Sequence, residues 1–529
     1  MCIIYYAGIR KCLRRGMSRM PNEYKRKNTT NMKRLRVITL LLVTAFALPI
    51  HAQITKPDEN QQPSLSHLMT TIHDLCTPEY EGRLAGTDAY MSVTDYVIDR
   101  LEEYGVEPYQ DEWLQLFQIE RNQIENATFY SYVNANDTRQ RYVLGNDFCC
   151  ASMTGRGYAD APVVFCGYGI DAAAFNEYAN VDAQGKIVIV LSGVPNFLPS
   201  TVTDQFATIR DKAYAAQRHG ACALVVINMS KSCPANEVQC RVFNGDKKHL
   251  AKFPIIQPTR ACAEMLFQNE LMPFQTAVDT IAATMKPQSF HLRKHFEIEV
   301  NAKYQPEALT ANVIGIRPGD DKRLKNEYIV VGAHLDHVGM QGNTCLFPGA
   351  DDNASGVAVL LETARMLNEA YIHPRRSVIF VLFSGSETEH LGSRIFVSNF
   401  SPLRRIEAFV NIECVGTGDS LVAMGNNKFP DLFKVACDMD SAFTGYSLCR
   451  SYKTNPKGDA AAFAKIGIPS LVMTNFNGNR HVHVPSDIPE NIDRQFLLKA
   501  AKLTYETVYE LTFGDYMGRT LDSRRTRFK

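Results

Sequence analysis

The chain of 529 residues is 45% hydrophobic and 21% charged, an ordinary globular composition that can fill two or three cores and carries no mark of disorder. Its 57 basic and 56 acidic residues nearly balance, but 11 Lys/Arg and a single Glu fall in the first 52 positions. Without that segment 46 basic residues face 55 acidic ones, a net charge of about −9, which argues against nucleic acid or an anionic membrane as partner.

In chain order, Met32-Lys33-Arg34-Leu35-Arg36 precedes an apolar run from Val37 to Leu48 and then Ile50-His51-Ala52-Gln53. This is the basic, apolar, small-residue order of a secretory signal peptide, with Met32 as the expected start and residues 1–52 as leader. The run is too short to span a bilayer, so the mature chain is expected to lack an integral membrane span and to be exported, periplasmic or extracellular. No cysteine follows Ala52 to take a lipid anchor. Twelve of the 14 cysteines lie beyond the leader; export allows some to pair, with Cys233 and Cys240 expected as a local bridge. Cys166, Cys222 and Cys414 sit in apolar runs and read as small buried hydrophobes.

Residues 64–139 form an N-terminal part. Leu65, Leu68, Ile72 and Leu75 repeat at helical spacing, as do Val93, Val97 and Leu101 before Gly105, and the loop Glu81-Gly82-Arg83-Leu84-Ala85-Gly86-Thr87 separates the two helices. Residues 140–295 are β-rich: Val163-Val164-Phe165, Lys186 to Val190 and Ala223 to Ile227 read as strands, and Asp211 to His219 as a helix stopped by Gly220. Residues 296–515 alternate strands and helices, which predicts an α/β fold with a doubly wound mixed sheet flanked by helices. The strands there are Tyr328 to Val331, Val378 to Phe383 and Phe409 to Ile412, with a helix over Ser355 to Asn368. A polar tail, 516–529, follows.

The polar residues of interest gather just past the carboxyl ends of these strands, where ligands bind in such sheets. His334 and Asp336 lie two apart in Gly332-Ala333-His334-Leu335-Asp336, so the aspartate can accept the second N–H of a metal-bound imidazole; a hydrogen-bonded loop histidine is the plainer reading. Gly349-Ala350-Asp351-Asp352-Asn353-Ala354-Ser355-Gly356 puts acids in a turn at a helix start, where capping alone could explain them. Glu387 and Glu413 each follow an apolar strand, and His483 stands in the proline-stiffened loop His483-Val484-Pro485-Ser486-Asp487. Two imidazoles and three carboxylates at transitions of one sheet suit two zinc-like ions, with one carboxylate bridging and open positions for water or substrate.

With these motifs in order, the chain resembles the co-catalytic zinc exopeptidase family, peptidase family M28, which includes bacterial leucyl aminopeptidases and glutamate carboxypeptidase. Asp182-Ala183-Gln184-Gly185-Lys186-Ile187-Val188 with Ala213 to Ile227 resembles the protease-associated (PA) domain, inserted as a substrate-selecting lid or as a stabilising module. The resemblance implies that His334 binds one ion, Asp352 bridges both, Glu387 and Glu413 each bind one, and His483 completes the second. It also implies that Asp336 orients His334 and that the Asp352–Asn353 peptide is strained or cis.

Two positions depart from the family pattern. Glu413 stands where aspartate is usual and still offers a carboxylate. Ser386, in Phe383-Ser384-Gly385-Ser386-Glu387-Thr388, stands where the resemblance places the glutamate general base, a group worth roughly 10²–10⁴-fold. Glu389 is the first candidate substitute base, with His390 and His481 nearby. The expectation is an exported zinc exopeptidase acting on N-terminal residues of peptides at reduced rate. The alternative is a catalytically silent homologue that keeps its metals and binds peptides or a protein.

Overall fold

The computed structural model describes residues 61–518, apart from short internal segments at 135, 230–232, 241–247, 371–372, 445–453 and 479–480. The expected leader and most of the polar tail lie outside the described residues.

Helix α1 (Leu65–Leu75) is capped by Ser64, and α2 (Asp88–Glu103) by Thr87, whose hydroxyl accepts from Tyr90 N. Between them Gly82, at φ +66°, brings its Cα so close to the neighbouring loop that a Cβ would stand 2.3 Å from Gly339 O. Only glycine fits there.

Strand β1 (Leu114–Tyr132) leads into the β-rich half, built from β2 (Gly157–Cys166), β3 (Ile187–Leu191), α3 (Ile209–Arg218), β4 (Ala223–Ile227) and β5 (Ile255–Pro258). The 29-residue β6 (Ser289–Arg317) then runs the length of the molecule. Its first part pairs with β2 and its last five residues pair with β8, so one strand belongs to both halves. It also pairs along most of β1.

The C-terminal half holds β7 (Tyr328–His334), α4 (Gly356–Glu369), β8 (Ser377–Phe383), α5 (Leu391–Asn399), β9 (Ile406–Ile412), β10 (Ser420–Met424), α6 (Pro430–Met439), α7 (Ala460–Lys465), β11 (Ser470–Phe476) and α8 (Arg494–Phe513). The sheet order is β10-β11-β9-β7-β8-β6-β2-β3-β4-β5. Strands β7, β8, β9 and β11 are mutually parallel and β6 runs antiparallel to β8, the mixed sheet expected from the sequence.

Both faces of this layer are covered, which explains why the centres of its strands are apolar on both sides. Val378, Phe380 and Leu382 pack with Leu68, Val93, Val357 and Leu497 of α1, α2, α4 and α8. Ile379, Val381 and Phe383 pack on the other face with Phe396 of α5 and Phe463 of α7. Phe383 meets Phe396, Phe409 and Phe463 at centroid distances of 6.0, 6.0 and 6.2 Å, and such an aromatic contributes about 3–5 kcal/mol against truncation to alanine. This packing fixes the strand ends beneath the site.

The expected Cys233–Cys240 bridge is absent. The Cys233 thiol donates to Pro234 O and Glu237 O at 3.5 Å, and Cys240 Sγ accepts from Gln341 Nε2 at 3.6 Å, so each sulfur is already engaged in a different direction. No disulfide joins any of the described cysteines.

Candidate metal centre

The parallel register brings the site together. His334 ends β7 opposite Phe383 of β8, and Gly332 lies opposite Asn411 of β9, so the residues just past each strand emerge at one level. Glu387 and Glu413 follow β8 and β9, Asp352 lies in the turn before α4, and His483 in the loop between β11 and α8. The turns are stitched by main-chain contacts. Asp487 accepts from Asp351 N and Asp352 N at 2.8 and 3.1 Å, while Asn353 bridges Ile412 O, Cys414 N and Gly356 N. The Asp352–Asn353 peptide is cis.

Beneath them lies Arg83, fully buried, whose guanidinium donates to Leu75 O, Leu335 O, Pro348 O and Gly349 O at 2.6–3.0 Å. Two of these carbonyls belong to the turns that carry His334 and Asp352, which gives the Glu81-to-Thr87 loop a structural purpose.

Asp352 faces two histidines, one with each oxygen: Oδ1 lies 3.3 Å from His334 Nε2 and Oδ2 lies 3.2 Å from His483 Nε2. Glu387 Oε1 is 3.0 Å from His483 Nε2. Glu413 stands next to this group; its Oε2 accepts from Asn411 Nδ2 at 3.1 Å. Burial raises its pKa to about 7, against the lowering field of His334.

The His334 imidazole meets Asp336 through the main chain and not through the carboxylate that was expected to orient it. The His334 Nδ1 lies 3.0 Å from the backbone carbonyl of Asp336 and 4.0 Å from its carboxylate. That carboxylate instead accepts the backbone N–H groups of Ser386 and Glu387 at 3.1 and 3.2 Å, fixing the turn after β8. Asp336 lies past the end of β7, where the strand alternation no longer applies, and its carboxylate is taken up by the neighbouring turn instead of the imidazole.

Ser386 is buried, and its hydroxyl donates to Asp459 Oδ2 at 2.7 Å. Asp459 precedes α7, is 1% exposed, and leaves Oδ1 without a hydrogen-bond partner. Glu389 is solvent-exposed at φ +55°, so the structure does not bring its carboxylate into the cluster. His390 is partly exposed, with Nδ1 3.9 Å from Asp459 Oδ1, and His481 Nδ1 is engaged with Ser486 Oγ at 2.7 Å.

Sequence reasoning missed two residues. Asp459 lies in no recognisable motif. His337, three residues beyond His334, is fully buried, with Nδ1 3.1 Å from Glu387 Oε1 and 3.9 Å from Asp352 Oδ2. A histidine so near another on one strand-end loop was the available signal.

The donor chemistry fits a cation. Asp336, Asp352, Glu387, Glu413 and Asp459 crowd one buried region, and among the described residues no lysine or arginine pairs with any of them. Burial works against the Asp352 and Glu387 carboxylates. Hydrogen bonds from His334 and His483 nonetheless hold Asp352 well below the usual range, and the charge of His483 helps bring Glu387 to about 2. Burial likewise opposes the cationic forms of His334 and His483, yet Asp352 and Glu387 raise both imidazoles well above their ordinary pKa. Protons here stand where a divalent ion would neutralise the acids.

Residues 312–508 match Peptidase family M28, and residues 159–265 match the PA domain. The likeness to peptidase family M28 is thus carried by residues 312–508. The chain is 24% identical over 517 residues to Aminopeptidase YwaD of Bacillus subtilis, a match covering 90% of this chain and 94% of that one. Leucine aminopeptidase 1 of Ajellomyces dermatitidis is 29% identical over 233 residues, 39% of this chain and 57% of the relative, so the chain spans little more than half of that protein. Among solved structures, a zinc aminopeptidase from Bacillus subtilis superposes with TM-score 0.62 at 21% identity, covering 86% of this chain and 98% of the other. An aminopeptidase from an Aneurinibacillus strain gives 0.59 at 19%, covering 86% and 96%.

The PA-domain half reaches the site directly. Cys240 N donates to His483 O and Gln239 Nε2 to Val482 O, both at 3.0 Å, and Ser486 donates to Glu237. A cleft beside the cluster is lined by Cys240 and Gln341 together with Asp336, His337, Glu387 and Thr388.

Proposed function

We propose that this chain is an exported zinc-dependent aminopeptidase that hydrolyses the N-terminal peptide bond of peptides. The observation that carries the reading is the two-faced Asp352, with one oxygen toward His334 and the other toward His483. His334, Asp352 and Glu413 would hold one zinc ion, and Asp352, Glu387 and His483 the other. Bound zinc supplies Lewis-acid polarisation of the scissile carbonyl and a more acidic water. The names of the relatives favour an aminopeptidase over a carboxypeptidase, and the basic-then-apolar leader supports export.

Proton transfer is where this chain departs from its family. Ser386 occupies the position of the usual glutamate base, and its neutral hydroxyl cannot by itself take and keep a proton from water near neutral pH. Its hydroxyl donates to the buried carboxylate of Asp459. In this reading the attacking water loses its proton to Ser386 Oγ as that hydroxyl passes its own proton to Asp459, a two-step relay slower than direct transfer to a glutamate. Reduced turnover follows.

The test is hydrolysis of aminoacyl p-nitroanilides and their N-acetylated counterparts, with metal content measured on the same preparation. Cleavage of the free-amine substrates alone, dependent on metal, supports the reading. A metal-free native protein, or a metal-loaded one inactive on every peptide tried, rejects it in favour of a peptide-binding homologue.

A further inference from the structure

His337 is absent from the ligand set that the family resemblance supplies, yet its imidazole stands inside the cluster. Its Nδ1 and the Glu387, Asp352 and His483 donor atoms all lie within 4.8 Å of one another. The measured separations are 3.1 Å to Glu387 Oε1, 3.9 Å to Asp352 Oδ2, 3.0 Å between Glu387 Oε1 and His483 Nε2, and 3.2 Å between His483 Nε2 and Asp352 Oδ2. A tetrahedral zinc with donors at about 2.0–2.2 Å has donor–donor edges of about 3.3–3.6 Å. The observed values bracket that range on both sides, so small side-chain adjustments suffice to close the shell.

The ring is also held for the purpose. His337 N donates to Arg83 O at 3.1 Å, which ties its backbone to the buried clamp. The two imidazoles of His337 and His483 meet edge to face, with centroids 5.4 Å apart, as rings converging on one point do. The other nitrogen, Nε2, is buried without a partner, so the ring's polar contacts are all with the donor cluster.

We propose that His337 is a fourth protein ligand of the ion held by Asp352, Glu387 and His483, an inference that rests on the two-ion reading above. The two sites then differ in kind. The His483 site has four protein donors and the closed shell of a structural ion, whereas the site of His334, Asp352 and Glu413 has three and keeps an open position.

The experiment uses the purified full chain and His337→Ala, His337→Gln and His337→Cys variants, each checked for native circular dichroism. Metal per chain, zinc affinity by chelator competition, and the cobalt(II) absorption spectrum are measured. The wild type is expected to hold two ions. His337→Ala is expected to keep one and to bind the other at least about 100-fold more weakly, beyond the ordinary effect of losing an outer hydrogen bond. His337→Gln, whose amide can still donate to Glu387, should behave like alanine. His337→Cys should recover the second ion and show a thiolate-to-cobalt charge-transfer band absent from the wild type. Two tightly held ions in the alanine or glutamine variant would overturn the assignment alone, as would a cysteine variant with two ions and no such band. Zero ions in the wild type would instead remove the metal centre itself.

Discussion

Ser386→Glu tests the proton-transfer step most directly. The hydroxyl it removes donates to Asp459 Oδ2 at 2.7 Å, and Asp459 has no partner at its other oxygen. A glutamate here restores a positioned carboxylate, which is worth roughly 10²–10⁴-fold. It also places a second negative group about 4 Å from Asp459, a repulsion of about 4 kcal/mol at an effective dielectric of 20. At 1.36 kcal/mol per unit that raises one of the two pKa values by about 3. The pair therefore shares a proton near neutral pH, and only part of the gain is realised until the pH rises. Ser386→Glu is expected to accelerate hydrolysis of leucine p-nitroanilide at least about tenfold at pH 8, with a steeper pH dependence than the wild type. In Ser386→Glu/Asp459→Asn the repulsion disappears, so the gain becomes larger and flat with pH. Asp459→Asn alone removes the relay's acceptor and should lower turnover by about 10²-fold without changing metal content. The reasoning fails if both glutamate variants are no faster than the wild type at equal metal occupancy.

Three further outcomes are expected. Titrating zinc into the metal-free protein at pH 7 should release at least about one proton per ion, because His334 and His483 are held protonated by Asp352 and Glu387; calorimetry in two buffers of different ionisation enthalpy measures this, and identical heats would exclude these donors. Burial raises Glu177 to about 7 from 4.5, despite N–H donors from Tyr168 and Ile170. Its folded pKa is the higher one, so its contribution is complete below pH ~4.5 and is lost as pH rises through 7, a cost of about 3 kcal/mol. The melting-temperature advantage of Glu177→Gln over the wild type should therefore grow from pH 5 to pH 8, and a constant difference would contradict the assignment. Arg83→Met leaves four carbonyls without their donor and should cost at least about 3 kcal/mol in urea unfolding, together with weaker metal binding.

The α/β layer was legible because its strands carry no polar residue in their centres and the donors lie at or beyond their carboxyl ends. Burial on both faces imposes the first property, and the position of the cleft imposes the second. His334, Asp352, Glu387 and His483 could be read as one cluster for that reason. What escaped was decided by side-chain direction and by distance along the chain. His337 looked like a flanking residue because its nearness to His334, the one signal available, does not say that the chain turns back toward Asp352. Asp459 was invisible because its partner, Ser386, is 73 positions away and hydrogen bonds of that range leave no periodic trace. The orienting role of Asp336 was expected of its carboxylate; the imidazole found the main-chain oxygen first.

Arg83 has a consequence for how this protein can be divided. The stretch that matches the peptidase family begins at residue 312, yet the guanidinium that spans the His334 and Asp352 turns comes from a loop more than 200 positions earlier. A recombinant piece cut at the family boundary would contain every residue expected to bind metal and would lack the keystone between them. Its ligands would be present in composition and absent in geometry. The cooperative unit is therefore larger than the module that homology outlines, and swapping catalytic segments between relatives should succeed only where the donor's N-terminal helical hairpin travels with them.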